Sequence, residues 1–222
     1  MEADYVVALG SDDPALELPW SAFSNAASAE GAHTIAAPAA NAPAAAKYFD
    51  LKRSPELLSL VPEAQRHPEL SEFLARINTF AFPMETAKCD VWMAHELSPE
   101  EQIFAAVQKL VSYVDLVFSA AEGRLSFSRH EELAQTLCRL LRAAPEMAAA
   151  IEFVVRRCYY HEGAEADSSV TGFCITAYVT GYGGNDEEAH QRWAIALKLL
   201  QNALVQTVRF RGYSSLNSGE RC

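Results

Sequence analysis

The chain has 222 residues, a formal net charge of -11, and a composition that is 50% hydrophobic and 21% charged. That is enough apolar material for one core without disulfide or metal staples. The negative balance, with no basic run beyond pairs such as Arg156-Arg157, excludes nucleic acid and acidic membrane as natural partners. Five scattered cysteines (Cys89, Cys138, Cys158, Cys174 and Cys222) are an odd number and outline no disulfide framework, so reduced thiols in a cytoplasm are expected. The acidic start Met1-Glu2-Ala3-Asp4 is unlike a signal peptide, and no apolar run reaches the ~20 residues of a membrane span.

In chain order, Tyr5-Val6-Val7-Ala8-Leu9 predicts a short buried strand that stops at the turn formers Gly10-Ser11-Asp12-Asp13-Pro14. Leu16, Leu18 and Trp20 alternate with polar or small residues, which predicts a second extended piece. Residues 26–46 are dominated by alanine, broken by Pro38, Asn41 and Pro43, and show no periodic apolar face. They read as a loop draped over the domain.

Pro-Glu recurs at Pro55-Glu56, Pro62-Glu63, Pro68-Glu69, Pro99-Glu100 and Pro145-Glu146. Proline at the first helical position gives up an N–H that would be unpaired anyway, and the glutamate beside it meets the positive end of the helix dipole. These pairs predict helix starts rather than a binding motif. The helix from Pro68 carries Leu70, Phe73, Leu74 and Ile77 on one face.

Residues 87–96 predict a strand, with Cys89, Val91, Met93 and His95 on one face and Asp90, Trp92, Ala94 and Glu96 on the other. Ser98-Pro99-Glu100-Glu101 resembles a capping box, and Ile103, Val107, Leu110, Val114 and Val117 predict a helix from there to Phe118. Ser128 and Glu131 open a further helix with Leu133, Leu137, Cys138, Leu140 and Leu141 on its apolar face. Residues 151–161 and 170–180 predict an antiparallel hairpin around the acidic loop 162–167. A helix of about six turns follows Gly181-Tyr182-Gly183-Gly184, and residues 211–222 read as a polar tail.

The fold expected is α+β in a single domain over 1–210, an antiparallel sheet with helices packed on one face and extra N-terminal helices. From residue 87 the order strand, helix, helix, strand, strand, helix resembles a ferredoxin-like sandwich, whose core is strand-helix-strand-strand-helix. The resemblance is one of topology in the second half of the chain, and it implies no activity.

The glycine turn fits neither a dinucleotide fingerprint nor a Walker A loop. Asp186, Glu187 and Glu188 fill the first helical turn, where a phosphate would sit, and Asn185 with Glu188 suits a helix cap instead. Cys89, His95, Cys158 and His161 are the ligand types of a zinc site, but strand parity turns Cys158 and His161 to opposite faces. No cofactor or metal is expected. His95-Glu96 and His161-Glu162 are adjacent on strands and diverge, and no nucleophile motif is present, so no catalytic residue is assigned.

The sheet is more informative. With Phe173, Ile175, Ala177 and Val179 toward the helices, Cys174, Thr176, Tyr178 and Thr180 face away, and Trp92 with Asp90 and Arg157 with Tyr159 are expected to share that second face. Its covering can be the chain's own first half, a second subunit or a ligand. The reading is a non-catalytic binding or assembly module that forms a homodimer. The alternative is a small-molecule enzyme or binding protein with Trp92, Arg157, Tyr159, His161, Thr176 and Tyr178 as contacts, and a Cys/His metal protein is the weaker alternative.

Overall fold

The computed structural model describes residues 1–19, 48–98, 101, 106–161 and 169–216, with side chains to residue 208. The 26–46 loop, the Pro99-Glu100 pair and the 162–167 loop lie outside the described residues. The fold is α+β. A mixed sheet is formed by β1 (Glu2–Ala8), β2 (Leu16–Leu18), β3 (Met84–Ala94), β4 (Gln108–Phe118), β5 (Ala149–His161) and β6 (Ser169–Gly183). Among the described residues six helices accompany it: the 3-10 helix α1 (Pro55–Leu60), α2 (Pro62–Arg66), α3 (Pro68–Ile77), α4 (Ala121–Arg124), α5 (Phe127–Arg142) and α6 (Asp186–Leu216). None of them, among the described residues, is long and apolar enough to cross a membrane.

The strand order is β1-β5-β6-β4-β3, with β2 also on β5. Strands β5, β6, β4 and β3 are antiparallel neighbours. β1 and β2 run parallel to β5, so the sheet is mixed where an antiparallel one was expected. Between β1 and β2 the chain turns at Gly10, whose N–H donates to Asp13 Oδ2 at 2.6 Å and whose carbonyl accepts from the Asp13 N–H at 3.2 Å.

The helix expected up to Phe118 is corrected: residues 108–118 are the interior strand β4. Its apolar residues fit a helical period as well as a strand because the strand is buried on both faces, which erases the alternation that marks a half-exposed strand. From β3 onward the described elements run β3-β4-α4-α5-β5-β6-α6, with β3 on the outer edge beside β4.

Pro55, Pro62 and Pro68 open helices as predicted, whereas Pro145-Glu146 leads into β5. Leu70, Phe73, Leu74 and Ile77 of α3 are all sealed in the core. Helix α5 starts two residues before the expected cap, where the Arg129 N–H donates to Ser126 Oγ at 3.3 Å. Helix α6 runs to Leu216, into the stretch expected as a tail.

The main core lies between one sheet face and α3, α5 and α6, and is filled by Phe73, Phe153, Ile175, Ala177, Trp193 and Leu200. Glycines set the distance between α6 and the sheet. A Cβ on Gly181 would lie 2.2 Å from the Trp193 backbone nitrogen, and one on Gly183 would lie 2.4 Å from that of Ala189. The glycines thus serve helix-on-strand contact, and the cap sits beside them: the Glu188 N–H donates to Asn185 Oδ1 and the Gly184 N–H to Glu188 Oε2, each at 2.9 Å.

Candidate functional site: the second face of the sheet

Pleating sends alternate residues of each strand to opposite faces, and the register then decides which of them are neighbours. Ile175, Ala177 and Val179 join the core, so Cys174, Thr176, Tyr178 and Thr180 project from the other face. On β4 that face carries Tyr113 and Asp115, opposite Tyr178 and Thr176. On β3 it carries Asp90 and Trp92, opposite Tyr113 and Val111. On β5 it carries Glu152 and Arg156, opposite Tyr178 and Cys174.

Of the six residues expected as ligand contacts, the structure therefore puts Trp92, Thr176 and Tyr178 on one face. Arg157 and Tyr159 pair with Phe173 and Thr171 and take the opposite parity, and His161 follows them. The expectation that Arg157 and Tyr159 share the face of Tyr178 is thus corrected. A register differing by one residue exchanges the two faces of a strand, so Arg156, Cys158 and Tyr160 hold the places expected for their neighbours. The Arg157 guanidinium donates to the Gly10 carbonyl, and His161 Nε2 lies 3.9 Å from Glu17 Oε2.

The second face has two zones. Near the β2 end, Leu16, Leu18, Val117, Cys158, Tyr160 and Cys174 form a small buried cluster. Burial and neighbouring groups raise the Tyr160 hydroxyl and the Cys174 thiol, the latter chiefly through its hydrogen bond with Cys158. Both stay protonated, which suits packing rather than nucleophilic work.

The other zone is aromatic and charged. Trp92 is 39% exposed, and Tyr113 and Tyr178 are half-buried. Their rings form a continuous run, with centroids 6.3 Å apart between Trp92 and Tyr113 and 6.0 Å between Tyr113 and Tyr178. Beside the run lies Asp115, fully buried, whose Oδ1 accepts from Arg156 Nη2 at 2.8 Å and from the Thr176 hydroxyl. Arg156 reaches over β6 to make this bond. Asp115 Oδ2 and Arg156 Nε are buried with no hydrogen-bond partner among the described residues. Burial opposes the Arg156 charge, but the Asp115 carboxylate beside it holds the guanidinium pKa above its ordinary value. The Tyr113 hydroxyl is pushed up to about 12, first by burial and then by the carboxylates of Asp115 and Asp90.

Sequence reading missed Tyr113, Asp115, Glu152 and Arg156 as members of this face. The available signal was Asp115 itself, the one charged residue in the apolar run 110–118. A buried acid there requires a cation within reach, and the two arginines at 156 and 157 offered one.

Among the described residues, no group of three or more His, Cys, Asp or Glu side chains is placed to hold a metal ion. Cys89 points into the helix-side core, and His95 Nδ1 lies 3.2 Å from Gln108 Oε1. Comparison with protein-family models, with curated proteins and with solved structures returns no match.

Proposed function

We propose that the chain is a non-catalytic binding or assembly module with a ferredoxin-like core, and that its working surface is the second face of the sheet. The observation that carries this reading is the run Trp92, Tyr113 and Tyr178, three aromatic side chains accessible in part on a face against which α3, α5 and α6 do not pack. Aromatic rings on a rigid sheet offer contact area at little cost in side-chain freedom, a property enriched at binding surfaces. The ferredoxin-like part of the reading is supported by β4-α5-β5-β6-α6, in which β6 lies between β4 and β5 and the helices share one face. Non-catalytic action fits the shielded chemistry nearby: Cys158 and Cys174 are sealed, and the Asp115 carboxylate is engaged by Arg156.

The test is comparative affinity purification with the wild-type chain and with a Tyr113→Ala/Tyr178→Ala variant of unchanged circular dichroism. A partner retained by the first and lost by the second is expected. An identical set of partners on both would overturn the face as the working surface.

Self-association is a second reading, favoured by exposed apolar residues at an outer strand. Val6 and Val7 of β1, the edge strand of the described sheet, are 45% and 43% exposed, and an edge strand offers its backbone to a second copy. Such a dimer leaves the aromatic face free. Sedimentation equilibrium at micromolar concentration is expected to show a dimer that Val6→Lys dissociates, and a monomer throughout would overturn it.

A further inference from the structure

The strand register sets Asp90, Tyr113, Tyr178 and Glu152 in one row across β3, β4, β6 and β5, two aromatic rings between two carboxylates. We propose that this row receives an extended protein segment carrying two arginine or lysine side chains, one for each carboxylate, with the cationic heads and their alkyl stems resting on the tyrosine rings. The proposal rests on the reading of the second face as the working surface and names the chemistry of its partner.

Charge complementarity argues for a cationic occupant. Asp90 and Glu152 are exposed, and neither has an ion-pair partner among the described residues. Two cations of the same face are already committed, Arg156 to Asp115 and Lys109 to Glu101. Asp115 lies fully buried on the same face, two residues along β4 from Tyr113, and its Oδ2 has no hydrogen-bond partner among the described residues. The Arg156 guanidinium beside it offsets its charge, so the uncompensated negative charge of this face lies on Asp90 and Glu152, where a bound cation would meet it. The electron-rich faces of Tyr113, Tyr178 and Trp92 attract guanidinium and ammonium groups and do not attract phosphate. A second copy on this face would bring Asp90 and Glu152 against like charges, which disfavours face-to-face pairing.

Length argues for a segment rather than a small amine. Three inter-strand steps at ~4.8 Å place the two carboxylate-bearing backbones ~14 Å apart, more than one guanidinium spans. An extended segment crossing the strands covers that distance in about four residues at ~3.3 Å each. Residues i and i+4 of such a segment point the same way, so basic side chains four apart meet the two carboxylates together.

The probe is a short synthetic peptide with two arginines four residues apart among serine and threonine, titrated into the full chain and followed by fluorescence, with a Trp92→Phe variant isolating the Trp92 signal. Saturable, salt-sensitive binding that changes Trp92 emission is expected. Asp90→Asn with Glu152→Gln, two exposed substitutions whose fold is checked by circular dichroism, should weaken it roughly tenfold or more, as should citrulline in place of arginine. Equal binding of the citrulline peptide, or indifference to the Asp90/Glu152 variant while Tyr113→Ala abolishes binding, would overturn the cationic partner and leave the face reading intact. Arginine-peptide binding that survives Tyr113→Ala/Tyr178→Ala would overturn both. Absence of binding by the arginine peptide overturns the cationic segment, and a dimer dissolved by Tyr178→Ala would make a second copy the occupant instead.

Discussion

The indole Nε1–H of Trp193 donates to Ser112 Oγ at 2.8 Å, and both residues are fully buried. This bond fixes the first third of α6 on the interior strand β4, on the helix side directly behind the aromatic face. Ser112→Ala removes the acceptor and leaves the indole N–H buried without one, at a cost of about 1–3 kcal/mol. Urea denaturation of the variant should show a lower midpoint with an unchanged slope.

Gly181 is expected to be more sensitive still. Its missing Cβ leaves room for the Trp193 backbone, which lies 2.2 Å from where that atom would be, and backbone cannot rotate aside like a side chain. Gly181→Ala must therefore lift α6 off β6, an overpacking cost of about 3 kcal/mol. Gly184→Ala is the control, because the nearest atom to its Cβ would be the Glu188 carboxylate at 3.5 Å. Thermal unfolding should separate the two variants clearly.

Breaking the Asp115 and Arg156 pair from one side strands a charge in a buried place. Their side chains are 0% and 14% exposed, so screening by solvent is slight. Arg156→Met is expected to destabilise by about 3 kcal/mol, and Asp115→Asn combined with Arg156→Met by clearly less than the sum of the two single changes. A double-mutant cycle by chemical denaturation measures the difference. Equal, additive effects would show the pair to be uncoupled.

Acid should weaken the fold in a defined window. His130 is fully buried with Nδ1 2.8 Å from the Ser126 carbonyl, and burial lowers its pKa. His67, stacked on His190 at 6.0 Å and edge-on to Trp193 at 5.4 Å, is lowered first by burial and then by His190. Both folded values lie below the ordinary value of 6.5, so the unfolded chain takes up these protons first. Their contribution is complete above pH 6.5, declines as pH falls below it, and levels off once the folded values are passed. Urea midpoints measured from pH 8 downward should follow that curve, and His130→Gln should flatten it.

How far the chain could be read follows from how cleanly each element shows one face. Helix α3 was legible because Leu70, Phe73, Leu74 and Ile77 repeat at helical spacing beside polar neighbours. β6 was legible because Ile175, Ala177 and Val179 alternate with Thr176, Tyr178 and Thr180. β4 was not, since Leu110, Val111, Val114, Leu116 and Val117 are buried on both sides and satisfy either period. The candidate face was half legible for a related reason. Trp92, Thr176 and Tyr178 follow from alternation within a strand, but membership of Arg156 and Glu152 depends on the register between β5 and β6. One residue of register separates Arg156 from Arg157, and the sequence holds no local mark of it.

The parallel pairing of β1 with β5 has a kinetic consequence. Residues 2–8 find their partner only at residues 150–156, so this strand emerges from the ribosome long before the strand it pairs with. At ~5–20 residues per second that wait is on the order of ten seconds, with Val6 and Val7 unpaired throughout. Closing so long a loop also raises the contact order, which places completion of this edge among the slow steps of folding. During synthesis β1 is thus the segment of the sheet most in need of protection by a chaperone.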